Sequence, residues 1–187
     1  MNGIGILGMG IDEPSLDEIS SLSQGLPYIT HLLSLHGARS AIGSKSLSIT
    51  SNDVENGIRV SLEQWQESIK TAYYNATKSQ QPGHLYREVI LACSLADVDD
   101  LGYFSAAGVR TPLRIITNKP YDIPNFARHL KELSEVGRGD LLERVGGKRR
   151  LRYRFRSPLM RPYIVMRGFA EGLLTKDQMY RISNHRI

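Results

Sequence analysis

Apolar and basic side chains alternate strictly over residues 150–156, which predicts a β-strand. Because successive side chains of a strand point to opposite faces, one face of this segment is apolar and the other is basic. The adjacent Gly146 and Gly147 predict a hairpin turn, since glycine supplies the positive φ that such turns need. The opposing strand is then expected at about 140–145. The basic face carries Arg150, Arg152, Arg154 and Arg156.

Apolar residues at spacings of three and four predict helices through most of the N-terminal half. Asp12 is expected to cap the first helix and Gly25 to end it, and Pro27 begins a second. Thr50 caps a third. This third helix is predicted to run continuously over 51–80, because its apolar positions recur without an intervening proline.

The C-terminal half shows the same helical spacing on both sides of the hairpin. An apolar stripe over 85–96 predicts one helix, and 104–116 is expected to be a helix or a loop with a helical turn, broken by Pro112. A further helix is predicted over 123–136 and a last one over 158–174. The predicted fold class is therefore mainly α with a small β-hairpin.

These elements suggest a division of the chain into four parts. The run Ser-Gln-Gln-Pro-Gly at 79–83 contains residues that stop helices, so it marks the expected domain boundary. The last segment is polar and basic, and is expected to fray. The predicted parts are a helical subdomain at 1–50, a connecting helix at 51–80, a helix-and-hairpin domain at 81–174 and a polar tail at 175–187.

The net positive charge is confined to the C-terminal part. Residues 84–187 hold 19 Lys and Arg against 11 Asp and Glu, whereas residues 1–83 hold 5 against 8. Such an asymmetry is typical of a polyanion-binding module carried by a near-neutral partner. Four arginines on one strand face also repel each other, which favours an anion opposite them. The alternative is a solvated edge strand whose charges block edge-to-edge pairing.

The composition excludes several classes of function. A single cysteine, Cys93, cannot form a disulfide within the chain; it suits a reducing cytoplasm and is expected to be a small buried residue. No segment reaches the roughly 20 apolar residues of a membrane span, so no membrane contact is expected. The histidines lack metal-ligand spacing, and no catalytic constellation of side chains stands out.

Three helices, a hairpin and a final helix form an order similar to that of a winged-helix domain. On this interpretation the helix at 123–136 enters the major groove of double-stranded DNA and the hairpin lies along the phosphates. The alternative is a protein-interaction or oligomerisation module in which the same face meets an acidic partner. The predicted DNA-binding residues are Asn125, Arg128, Lys131, Lys148, Arg149, Arg150, Arg152, Arg154 and Arg156.

Three short patterns in the N-terminal part point to a known kind of subdomain. They are a helix ending in Ser-x-Gly, the turn Gly25-Leu26-Pro27, and Ile-Thr-x-x-Asp-Val at 49–54. On these patterns, residues 12–58 resemble the helical lid of AAA+ and STAND-type P-loop ATPases. With the winged-helix order that follows, the whole chain looks like the C-terminal half of a bacterial AAA family ATPase.

The resemblance implies that Gly25, Leu26 and Pro27 contribute to nucleotide binding, with the proline ring against the adenine. Proline is also common at the first position of any helix, which is the alternative reading of Pro27. Tyr28 and Ile29 stand where many such lids carry an arginine that senses the γ-phosphate.

The sequence contains no Gly-x-x-x-x-Gly-Lys-[Ser/Thr] phosphate loop and no apolar strand ending in paired acids. We therefore expect this chain alone to bind no cofactor and to hydrolyse no ATP. ATP or ADP would be bound if a parent P-loop ATPase domain were present, and such a domain is an expected partner.

Overall fold

A computed structural model describes residues 3–6, 8–79, 84–147 and 150–185. Within these residues most of the chain is helical and the strands are short, so the predicted fold class, mainly α with a small β-hairpin, is confirmed. The chain divides into two compact units, Met1–Trp65 and Gln66–Ile187, here called the N-terminal and C-terminal units. The division falls before the boundary predicted at 79–83, of which 80–83 lie outside the described residues.

The N-terminal unit is built from helices and one pair of two-residue strands. The two strands pair in parallel, with Gly10 opposite Ser48 and Ile11 opposite Ile49. Its elements are α1 Gly3–Ile6, β1 Gly10–Ile11, α2 Glu13–Ser23, α3 Pro27–Gly43, β2 Ser48–Ile49 and α4 Ser51–Glu63.

Local capping chemistry sets where the helices of this unit begin. The Asp12 carboxylate accepts a hydrogen bond from the Ser15 backbone N–H at 2.8 Å, as expected of an N-cap. Thr50 and Asp53 form the predicted capping box at the start of α4. Pro27 is the first residue of α3, where its missing N–H costs nothing. The predicted helix starts are confirmed.

Helices α3 and α4 cross at two glycines, Gly37 and Gly57. A Cβ atom placed on Gly57 would lie 3.1 Å from the backbone nitrogen of Gly37 and 3.4 Å from the carbonyl oxygen of Leu33. Backbone atoms therefore meet at this crossing, beside a core that includes the fully buried Ile29. The two helices can approach this closely because each glycine carries only a hydrogen atom in place of a side chain.

The helix predicted over 51–80 is interrupted. Helix α4 ends at Glu63 and the next helix, α5, begins at Glu67. Between them lies Trp65, whose side chain is only 7% exposed. No proline or glycine stands at 64–66, so the break is not caused by a local helix-stopping residue.

The C-terminal unit surrounds one central helix with further helices and a three-stranded sheet. Its elements are α5 Glu67–Thr77, α6 Tyr86–Leu95, β3 Phe104–Ser105, α7 Ala106–Thr117, α8 Ile123–Glu132, a 3-10 helix Val136–Arg138, β4 Leu142–Val145, β5 Arg152–Phe155, α9 Met160–Ala170 and α10 Lys176–Asn184. The sheet order is β3-β5-β4, and both strand pairs are antiparallel.

Helix α6 is the centre of this unit. It contacts α7, α8 and α9, and every residue from Val89 to Leu95 is buried, Cys93 among them. The apolar face of the sheet closes the core, because the Phe104 ring lies 6.0 Å from the rings of both Tyr153 and Phe155. Arg161 fixes the end of α6 by donating to the carbonyl oxygens of Ser94 and Ala96.

Four predictions for the C-terminal unit need correction. Phe104 lies in a strand, and Pro112 sits inside a continuous α7 instead of breaking it. Helix α8 ends at Glu132, four residues before the predicted end. The tail is not frayed where the structure describes it, because it forms α10 and buries Met179 and Ile182.

Candidate nucleic-acid interface

The predicted hairpin is formed by β4 and β5. Glu143 pairs with Arg154 and Val145 with Arg152 in its register. Strand β4 ends at Val145 and β5 begins at Arg152, so the two strands are further apart along the chain than the two-residue turn predicted at Gly146-Gly147 allows. Gly146 nevertheless has φ +93°, a conformation in which glycine is strongly favoured.

Carboxylates of the chain itself neutralise three arginines of the hairpin. The cross-strand pair Arg154–Glu143 has a nitrogen–oxygen distance of 2.6 Å. We call this set of three ion pairs the arginine ladder. Its other members are Arg152 with Asp99 at 2.5 Å and Arg156 with Asp140 at 2.9 Å.

The loop at 97–103 lies over the arginine ladder and supplies part of it. The Asp99 carboxylate accepts hydrogen bonds from the backbone N–H groups of Leu101 and Tyr103, which fixes the loop. The Tyr103 ring then lies 4.6 Å from the Arg154 guanidinium and 5.5 Å from that of Arg152. Both arginines therefore have a carboxylate and an aromatic face as partners.

The expectation that the arginines require an anion opposite them is met within the fold. A hydrogen bond from Arg154 holds the pKa of Glu143 below its ordinary value, so this carboxylate stays charged at neutral pH. The ladder contributes three positive and three negative charges, and its side chains remain partly exposed. It has no excess of positive charge to offer a polyanion.

Helix α8 presents the three polar residues that the sequence assigned to the major groove. The Asn125 side chain is committed to the start of the helix, because its oxygen accepts the Asp122 backbone N–H at 2.9 Å. Arg128 pairs with Glu132 at 2.6 Å and Lys131 with Glu135 at 3.8 Å. The Arg128 side chain is 84% exposed, so its head group is accessible to a partner despite the ion pair.

Two arginines near the open end of the hairpin lack a carboxylate partner among the described residues. They are Arg144 on β4 and Arg150 in the connecting loop, and both are exposed. Arg144 was not among the predicted DNA-binding residues, because it lies outside the alternating segment. Arg144 could have been identified from the sequence, because it lies in the predicted first strand, two residues before the glycine pair. The predicted Lys148 and Arg149 lie outside the described residues.

The three residues predicted to bind nucleotide form the turn between α2 and α3. Gly25 has φ +79° and follows Gln24, which is also left-handed, so the turn ends α2 in the usual way. The Leu26 N–H donates to the Ser23 carbonyl oxygen at 2.9 Å. Pro27 is exposed at the first position of α3, so its ring is free to meet another molecule.

A cleft of about 410 Å³ opens in the C-terminal unit between α6, α7 and α10. Two of its polar side chains are used by the fold: Gln178 donates to the Ile115 carbonyl oxygen, and Thr117 donates to that of Leu113. Among the described residues there is no group of His, Cys, Asp and Glu that could hold a metal ion. None of the described helices is both long and apolar enough to span a bilayer.

We compared the chain with protein-family models, with curated proteins and with solved structures, and found no match in any of the three.

Proposed function

We propose that the C-terminal unit binds double-stranded DNA as a winged-helix module. The observation that carries this proposal is the order of its elements. Three mutually contacting helices, α6, α7 and α8, are followed by the β4–β5 hairpin, and the short β3 pairs with β5 to give the sheet order β3-β5-β4. In a winged helix this arrangement places the third helix and the hairpin side by side on duplex DNA.

The charge of the C-terminal unit supports the proposal. Residues 66–187 contain 21 Lys and Arg against 12 Asp and Glu, a net charge of +9, whereas residues 1–65 contain 3 against 7. Phosphate contacts by lysine and arginine supply most of the affinity of a protein for duplex DNA. The net attraction therefore acts on this unit alone.

The structure changes which residues we assign to the interface. The arginine ladder is internally neutral, so we propose that the phosphates are met by the arginines outside it, Arg144 and Arg150. Arg128 and Lys131 on α8 are exposed enough to contact the groove. Asn125 is proposed to act as a helix cap and not as a base contact.

Duplex binding at several salt concentrations tests this assignment. We expect the salt dependence of the affinity to weaken by about one unit of log–log slope in Arg144→Gln and again in Arg150→Gln, as for a lost phosphate contact. Fluorescence anisotropy with a labelled duplex of about 20 base pairs measures the affinity at each salt concentration, and the slope follows from the series.

The matched control removes the central ion pair of the ladder. The double variant Arg154→Gln and Glu143→Gln keeps the net charge, so we expect its affinity and salt slope to equal those of the unaltered chain. A loss of affinity in the double variant, with Arg144→Gln and Arg150→Gln unaffected, would show that the ladder is the contact surface. Absence of duplex binding at low salt would reject the proposal.

For the N-terminal unit we propose the role of a lid that packs against a P-loop ATPase domain. Three large apolar side chains, Tyr28, Leu35 and Ile42, recur every seven residues on α3 and are between 47% and 62% exposed. Seven residues are two helical turns, so these side chains share one outward face. ATP or ADP would be bound only together with that domain. The free, buried Cys93 supports a place for the protein in the reducing cytoplasm.

The same apolar face favours a second candidate function, that of a protein-interaction or oligomerisation module. An apolar helix face of this kind marks a contact with another protein more often than a solvated surface. This alternative predicts no duplex affinity at low salt and a self-association that is lost when Tyr28, Leu35 and Ile42 are replaced by serine. Sedimentation velocity of the unaltered chain and of the triple serine variant tests for this self-association.

A further inference from the structure

A cluster of rings and charges surrounds the phenol of Tyr86, where α8 packs on α6. Tyr86 is the first residue of α6 and is buried. Its hydroxyl donates to the Glu132 carboxylate. We call this set the Tyr86 cluster, and its members are His84, Tyr86, Arg128, His129, Glu132 and Arg138.

The Tyr86 ring is in contact with a guanidinium group and two imidazole rings. The Arg138 guanidinium lies 3.9 Å from the ring centroid, and its side chain also donates to the Lys78 carbonyl oxygen. The His129 ring meets the phenol edge-to-face at 4.8 Å. His84 contributes a third ring at 5.8 Å. The C-terminal turn of α8 is thus held to α6 through an aromatic contact.

The charges around His129 oppose a further cation. Arg128 on its own helix, Arg138 on the 3-10 helix and His84 before α6 all act against protonation of its ring. One carboxylate, Glu132, faces this group, and it already accepts hydrogen bonds from Tyr86 and Arg128. Helix α7 also packs on α8, but its Arg110 pairs with Asp122 at the opposite end of α8.

Burial is the main reason why the pKa of His129 lies below its ordinary value of 6.5; Glu132 opposes the shift and the nearby cations add to it. The His129 Nδ1 atom is also buried without a hydrogen-bond partner. The folded chain therefore holds this ring neutral at pH 7. Between the ordinary pKa and the lowered one, the unfolded chain binds more protons than the folded chain. Stability is complete above the ordinary pKa and falls as the pH drops through the lowered value.

We propose that His129 makes the packing of α8 on α6 sensitive to acid, so that protonation of its ring frees the end of α8 and weakens duplex binding. The consequence for DNA rests on the function proposed above, whereas the loosening of α8 does not. The direction in which duplex affinity changes with pH distinguishes this proposal from simple electrostatic binding. A simple polyanion binder gains affinity in acid, because its histidines gain charge.

Amide hydrogen exchange of the full chain without DNA tests the loosening directly. We expect the protection of α8, relative to α7 in the same sample, to fall several-fold between about pH 7.5 and about pH 5.5, and by no more than about tenfold, which is the limit for one group with an ordinary pKa of 6.5. In His129→Phe, which keeps a ring against Tyr86 but cannot titrate, protection should be equal at both pH values. His129→Gln is a second non-titrating variant, and His31→Gln, at an exposed histidine of α3, is the control that retains the acid effect.

Two results would overturn the proposal: α8 protection that does not change with pH in the unaltered chain, or an acid loss that persists in both His129 variants. Anisotropy with a labelled duplex of about 20 base pairs at the same pH values tests the link to DNA. We expect affinity to fall in acid in the unaltered chain and not in His129→Phe. If α8 loosens but no duplex binds at either pH, the DNA function fails and the acid response of α8 stands. Equal affinity at both pH values, with α8 loosened, would reject the link.

Discussion

Gly57 and Gly37 show how single residues set the geometry of the N-terminal unit. At their contact the backbones of α3 and α4 meet, and the space for a Cβ on Gly57 is bounded by backbone atoms. Backbone atoms cannot move aside as the end of a flexible side chain can. A methyl group at this position must therefore push the two helices apart.

We accordingly predict that Gly57→Ala lowers the free energy of unfolding by about 1–3 kcal/mol. Urea denaturation followed by the fluorescence of Trp65 measures this loss, because the single, buried tryptophan belongs to the N-terminal unit. Gly43→Ala is the control: no atom lies within 4 Å of a Cβ there, so its denaturation midpoint should stay the same or rise slightly. Equal midpoints for Gly57→Ala and the unaltered chain would show that the crossing has room to spare.

The arginine ladder shows which features of single residues the sequence can predict and which depend on the fold. Alternation over 150–156 correctly predicted a strand with an arginine face, since a strand's side-chain period is local. It could not reveal the partners. Asp99 lies 53 residues before Arg152, and only the folded chain brings the two together. The sequence therefore predicted the charges of the surface but not their neutralisation.

At the scale of elements, the sequence predicted helix starts well and helix ends poorly. The predicted caps at Asp12 and Thr50 are local hydrogen-bonding patterns, and the structure contains both. The break near Trp65 has no local cause. The strand at Phe104–Ser105 is equally invisible, because two residues carry no periodicity and depend on pairing with β5.

Helix α10 is another element that arises from tertiary contacts. Its Gln178 side chain donates to the carbonyl oxygens of Ile115 and Ile116 at 3.1 and 3.3 Å, near the end of α7. The same side chain accepts from the Thr175 backbone N–H at 2.9 Å and so caps its own helix. One amide group therefore joins two helix ends.

Gln178→Ala should lower the free energy of unfolding by about 1–2 kcal/mol, because it removes a cap and leaves carbonyl groups of α7 without this donor. Chemical denaturation followed by circular dichroism measures the change. Tyr180→Ala, at a side chain that is 68% exposed on the same helix, serves as the control and should change little. An unchanged midpoint in Gln178→Ala would mean that α10 is not docked through this residue.

At the scale of the whole molecule, the two units carry opposite net charge. We predict that a duplex of about 20 base pairs protects amides of the C-terminal unit from hydrogen exchange and leaves the N-terminal unit unaffected. Protection should be greatest in α8 and in the hairpin that follows it. Mass spectrometry of the full chain with and without duplex measures both units in one sample. Protection centred on α3 would contradict the assignment of DNA binding to the C-terminal unit, and no protection in either unit would favour the interaction-module alternative.

The position of Cys93 offers a way to measure the opening of the C-terminal unit. Its side chain is completely enclosed in the central helix of the C-terminal unit, and burial raises the pKa of its thiol. A thiol-alkylating reagent can therefore react only during moments when that unit has opened. Because the sequence contains no other cysteine, the labelling rate in native buffer reports how often the C-terminal unit opens. No engineered tag is needed.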